Sequence, residues 1–206
     1  MFKRSIWQRR GRCCFALFGL LPFILWSAPA SAHPHIWIDA SATFIFAQGR
    51  LTALRMEWAF DPLFSDFLRQ KFDPKRTGKF DEATLNQMKV DLNGAREDGY
   101  FIHLRLGDAP QKIDRLADFA ASYRDKQIVY RFVVPLAAPA DPVATPVTLK
   151  LYDSSFYVDV GLDKSDPVRF EGERPGCVFD IREDKANPIY FGLVFPQRIE
   201  LKCKKT

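Results

Sequence analysis

From residue 35 the chain alternates. Ile36, Ile38 and Ala40 interleave with His35, Trp37 and Asp39, the period of two expected of a half-buried strand, so 35–46 reads as a strand. Gln48-Gly49-Arg50 is a hairpin turn and 51–60 a second strand. The spacing then becomes helical. Asp61 is placed to cap a helix with Pro62 at its first position, and Leu63, Phe64, Phe67 and Leu68 carry that helix to Lys71. Asp81 caps a second helix, with Leu85, Met88, Val90 and Leu92 as apolar contacts and Gly94 and Gly99 near its end. Strand-like segments return at 100–106, 111–116, 119–123, 127–135, 147–152, 156–160, 168–170, 177–182 and 198–203. Gly107-Asp108, Arg124-Asp125-Lys126 and Asp153-Ser154-Ser155 supply turns, and the Pro- and Ala-rich 137–146 is a loop. The pattern predicts a mainly β fold with an α insertion (α+β): an antiparallel β-sandwich-like domain with a helix-loop-helix insertion at about 61–97.

Residues 1–32 have a different pattern. Lys3, Arg4, Arg9, Arg10 and Arg12 make a cationic start, Cys13 to Trp26 an apolar run, and Ala30-Ser31-Ala32 a small-x-small site. These are the parts of a signal peptide, with cleavage expected after Ala32 and a single periplasmic domain, 33–206, left behind. The apolar run falls short of the ~20 residues of a membrane span, and no second long run follows, so no direct span is expected after cleavage.

Removing the leader changes the charge and the cysteine count. The whole chain is formally +5, and the leader holds five basic residues and no acid, so the remainder is neutral. That excludes a basic nucleic-acid footprint. Cys13 and Cys14 leave with the leader. Cys177 and Cys203 remain, too far apart in sequence for a CxxC redox centre, and in an oxidising compartment they are expected to form a disulfide.

Several blocks carry a family resemblance: His33-Pro34-His35-Ile36-Trp37-Ile38-Asp39; Trp58-Ala59-Phe60-Asp61 followed by Phe64-Ser65; Leu151-Tyr152-Asp153-Ser154-Ser155-Phe156-Tyr157-Val158-Asp159; and Gly176-Cys177. Together they resemble the bacterial family called domain of unknown function 1007, over nearly the whole of 33–206. The resemblance implies a periplasmic component of an uncharacterised ABC-type transport system. Its members are commonly encoded beside, or fused to, nickel/cobalt-type permeases, and some are linked to zinc. An inner-membrane metal permease is therefore the expected partner. Relatives often carry an EF-hand-like stretch after the first helix. Here it is Asp73 to Thr84, with Gly78 at the turn position but Lys75 and Thr84 where the third and twelfth ligands would stand, so no calcium is expected there.

The chain has three histidines, and two of them, His33 and His35, flank Pro34 at the expected new terminus. A terminal copper or nickel chelate that uses the second residue's amide cannot form, because proline has no amide proton. The α-amine and ring of His33 can still hold one ion, and His35 can join them; nitrogen donors suit Zn, Ni, Co and Cu. Asp39 shares a face with His35 but lies about 13 Å further along the strand, so it is read as second-sphere or structural. His103 and Asp153 are the further candidate ligands, with Asp61 and Asp159 as alternative oxygen donors. Tyr152, Phe156 and Tyr157 are read as packing aromatics, and Asp153 as a turn residue ahead of a ligand. The leading expectation is a transition-metal-binding accessory (Zn, Ni or Co) of a permease. The alternatives are a metal-free periplasmic adaptor of a membrane transporter and a copper oxidoreductase built on a terminal histidine brace. No nucleophile elbow, phosphate loop or zinc-protease helix is present, and the chain is expected not to be an enzyme.

Overall fold

The computed structural model describes residues 35–204; the expected signal peptide, its expected cleavage site and His33 lie outside them. Strand β1 (Ile36–Ala47) turns into β2 (Arg50–Phe60) at Gln48 and Gly49, both of which have positive φ. Helix α1 (Pro62–Phe72) is capped by Asp61, whose carboxylate accepts from the Leu63 and Phe64 amides; α2 (Glu82–Leu92) is capped by Asp81, which accepts from the Thr84 amide. The strands that follow are β3 (Ile102–Leu106), β4 (Ala109–Pro110), β5 (Ala117–Arg124), β6 (Gln127–Ala140), β7 (Val147–Leu151), β8 (Val158–Leu162), β9 (Val168–Glu171), β10 (Gly176–Glu183) and β11 (Gln197–Lys204).

They form two sheets. The first runs β5-β6-β2-β1-β8, with β9 also on β1; the second runs β10-β11-β7-β3-β4. Both contribute to one core. Ile38, Ala40, Ala42 and Phe44 of β1, Met56 and Trp58 of β2, and Phe132 of β6 meet Leu104, Leu149 and Ile199 of the second sheet. The helices close one end through Leu68, Phe72, Met88 and Leu92. Ser65 fastens α1 to the first sheet: its hydroxyl donates to the Phe60 carbonyl at 3.1 Å and accepts from the Ile128 amide at 2.9 Å.

The fold is the expected β-rich α+β type, with five local corrections. The first sheet is mixed rather than antiparallel, because β8 and β9 both lie parallel to β1, opposite Ile36–Ala40 and Ala42–Ile45 in turn. Parallel pairing needs a crossover, and the chain supplies it by leaving β7 in the second sheet and entering β8 in the first. Residues 111–116 are not a strand; only Ala109 and Pro110 pair with β3, and Ile113 drops from the irregular segment into the core. Conversely β6 runs on to Ala140, through what the sequence marks as loop. Beyond Val133 it has no partner on the β5 side, so Pro135 and Pro139 sit on an edge, where a missing N–H is tolerated. Tyr100 and Phe101 adopt left-handed backbone before β3, which therefore begins at Ile102. Val90 is exposed, not a core contact.

Candidate functional site

The crossover from β7 to β8, residues 152–157, is the structural centre of the candidate site. It is built on Asp153. The buried carboxylate accepts from the Ser155 amide at 2.8 Å, from the Tyr157 and Val158 amides at 3.1 Å each, and from the Ser155 hydroxyl. One short acid thus satisfies the N–H groups that a sharp sheet-to-sheet turn would otherwise strand. Phe156, at φ 56°, completes the reversal.

A histidine sits at each end of this turn. His103 lies on β3 opposite Lys150 of β7. Its ring stacks on Tyr152 with centroids 3.7 Å apart, and its Nε2 is 3.0 Å from the Tyr152 carbonyl oxygen. A carbonyl only accepts, so Nε2 carries the proton and Nδ1 is the lone-pair nitrogen. Burial pushes the His103 pKa below the ordinary histidine value, Lys150 acts in the same sense, and together they outweigh the Tyr152 hydrogen bond and Asp98. The ring is therefore neutral at neutral pH, as a ligand imidazole must be. An imidazole whose second nitrogen donates to a carbonyl is also the arrangement that orients metal-binding histidines. His103 lines a cleft of about 680 Å³ with Arg96, Asp98, Asp114, Lys150 and Tyr152.

His35 stands at the other end, immediately before β1. Its amide donates to the Tyr157 carbonyl at 2.9 Å, and its ring lies 4.6 Å from the Tyr157 ring. The two tyrosines read as packing aromatics are thus the platforms on which His35 and His103 rest. A histidine and a tyrosine far apart in sequence carry no signal of this; it needs the β3–β7 and β1–β8 registers.

The carboxylates take other roles. Asp61 has both oxygens occupied, one by the α1 cap and the other by the Trp37 amide at 3.1 Å. Asp153 holds the turn. Asp159 is half-buried beside Asp39, and burial followed by that neighbouring charge pushes its pKa up. Among the described residues no three His, Cys, Asp or Glu side chains group so as to hold a metal ion. Cys177 and Cys203 face each other across β10 and β11 and form a disulfide. In the Asp73 loop the carboxylate accepts from the Thr77 amide at 2.7 Å and the Gly78 amide at 2.8 Å.

Residues 18–192 match the family described as Protein of unknown function (DUF1007). The chain belongs to this family. Two curated relatives of this DUF1007 chain are similar. One is an uncharacterized protein of Haemophilus influenzae, 24% identical over 91% of this chain and 98% of its own length. The other is an uncharacterized 15.5 kDa protein in the trpE 3′ region of Spirochaeta aurantia, 35% identical over 47% of this chain and 69% of its own. Among the described residues, no helix is long and apolar enough to cross a membrane.

Proposed function

We propose that this DUF1007 chain is an exported, non-enzymatic transition-metal-binding accessory that hands Zn, Ni or Co to or from an inner-membrane permease. The observation that carries this reading is His35, held at the start of β1 by the Tyr157 carbonyl and ring. His33 stands two residues upstream, and with a free amine it brings two nitrogen donors to that fixed imidazole. His103 supports the reading as a neutral, oriented imidazole on the far side of the same turn. The metal is cargo, so moderate and reversible affinity is expected.

Calorimetric titration of the chain beginning at His33 with zinc, nickel and copper tests this. An added residue before His33, or His35→Ala, should abolish the tighter binding, and His103→Ala should remove at most a weaker event. Identical isotherms for all four proteins would refute the proposed site. A second reading, a metal-free adaptor of a membrane transporter, is favoured by a specific surface: Leu63, Phe67 and Val90 on the two helices are all more than half exposed. Retention of a permease by metal-stripped protein, lost on Phe67→Ser, would support that reading instead.

A further inference from the structure

The connection between β10 and β11 ends in an exposed apolar tip. From Ala186 to Gln197 no residue is charged. Phe191 is 94% exposed, Leu193 73% and Phe195 43%. Scattered exposed apolar residues are ordinary, but three at alternate positions of one short segment are not. The tip is also built rather than loose. Its stem is the buried Asp184, which accepts from the Lys150 ammonium at 3.0 Å and from the Asn187 amide group at 3.0 Å, and whose own amide donates to the Pro196 carbonyl at 2.9 Å. Tyr190, Phe191 and Gly192 are all left-handed, a conformation that bulky residues keep only when their surroundings impose it.

We propose that this tip inserts into the interfacial region of a lipid bilayer and holds the domain against a membrane surface. Two features choose lipid over a protein groove. The tip's amides at Ile189, Gly192, Leu193 and Val194 all donate to carbonyls within the tip, at 2.8 to 3.3 Å, so the backbone enters a poor hydrogen-bonding medium with those donors already satisfied. The charges bracket the segment instead of interrupting it: Lys185, with its side chain 77% exposed, precedes it, and Arg198, 34% exposed, follows. Both cations have acidic neighbours, Glu183 at 3.8 Å and Glu200 at 2.7 Å, so apolar insertion and not net charge supplies most of the attraction.

Residues 33–206 form a compact unit, so the test uses that chain, free of the leader's own apolar run. It is floated with phosphatidylcholine vesicles and with vesicles containing phosphatidylglycerol, at low and high salt. The expected result is binding to both lipid compositions that survives salt, weakened by about tenfold or more in the double variant Phe191→Ser, Leu193→Ser. The melting temperature of that variant should match the parent, because the replaced side chains are exposed. No flotation with either vesicle, flotation the variant retains, or flotation only with phosphatidylglycerol and lost in salt would each overturn the proposal. So would Phe191-dependent capture by a detergent-solubilised membrane protein without any vesicle binding, which would assign the tip to a protein partner.

Discussion

Asp61, Asp73 and Asp153 are each a short acid just ahead of a reversal, and each ends by accepting backbone N–H groups. For Asp153→Ala the three amides and one hydroxyl of the turn lose their acceptor together. A cost of about 2–4 kcal/mol is expected in urea unfolding, with Asp153→Asn recovering part of it. Asp73 explains how an EF-hand-like loop keeps its shape with Lys75 at a ligand position: its oxygens are taken by the loop itself. Burial pushes this carboxyl up, but the Gly78 and Thr77 amides, the Thr77 hydroxyl and Arg69 outweigh it, and its pKa lies below the ordinary 3.8. A depressed carboxylate contributes stability that is complete above its unfolded value and lost as pH falls through the folded one. Asp73→Asn should therefore flatten the loss of stability below about pH 4 while lowering stability at neutral pH, as thermal melts against pH would show. Calcium added at neutral pH should leave the melting temperature unchanged.

Turn chemistry decided the local elements, and two glycines separate conformation from space. Gly49, in the β1–β2 hairpin, has φ +74° and open surroundings, so Gly49→Ala should cost about 1 kcal/mol. Gly172 has φ +85°, and a Cβ there would lie 2.0 Å from the Phe46 carbonyl oxygen. Gly172→Ala must move backbone at the β9–β1 junction and should cost roughly 3 kcal/mol or more in chemical unfolding. The Cys177–Cys203 bridge closes the β10–β11 hairpin over a separation of 26 residues. Replacing both with serine should lower stability by roughly 3–4 kcal/mol on the chain-entropy estimate, and reducing agent should reproduce the effect in the parent. The β1–β2 hairpin and both helix caps were legible because their signals are local: Asp61-Pro62, Asp81 and Gln48-Gly49 act within a few residues. The end of β6 was not, since whether Pro135 and Pro139 are tolerated depends on where β5 stops pairing.

The molecule as a whole turns on one crossover. Because β7 and β8 belong to different sheets, residues 152–157 run between them, and the histidines of β3 and of the segment before β1 are drawn to its two ends. Alternation in 36–40, the spacing in α1 and the compositional break at residue 33 were enough to establish a β-rich domain with a helical insertion, because these are patterns of burial along one segment. The histidines could be named as donors from their chemistry alone. Their platforms, Tyr157 and Tyr152, could not, nor could the Trp37 amide on Asp61 or the Tyr157 and Val158 amides on Asp153. The second oxygen of Asp61 is occupied by the Trp37 amide, 24 residues away in sequence, and His103 reaches the Tyr152 carbonyl across 49. Likewise, the sequence shows that 186–197 is apolar, but apolar runs are as often core as surface. Only the packing of β10 against β11, with Asp184 anchoring the stem, puts Phe191 outside, since exposure is decided by what the rest of the chain leaves uncovered.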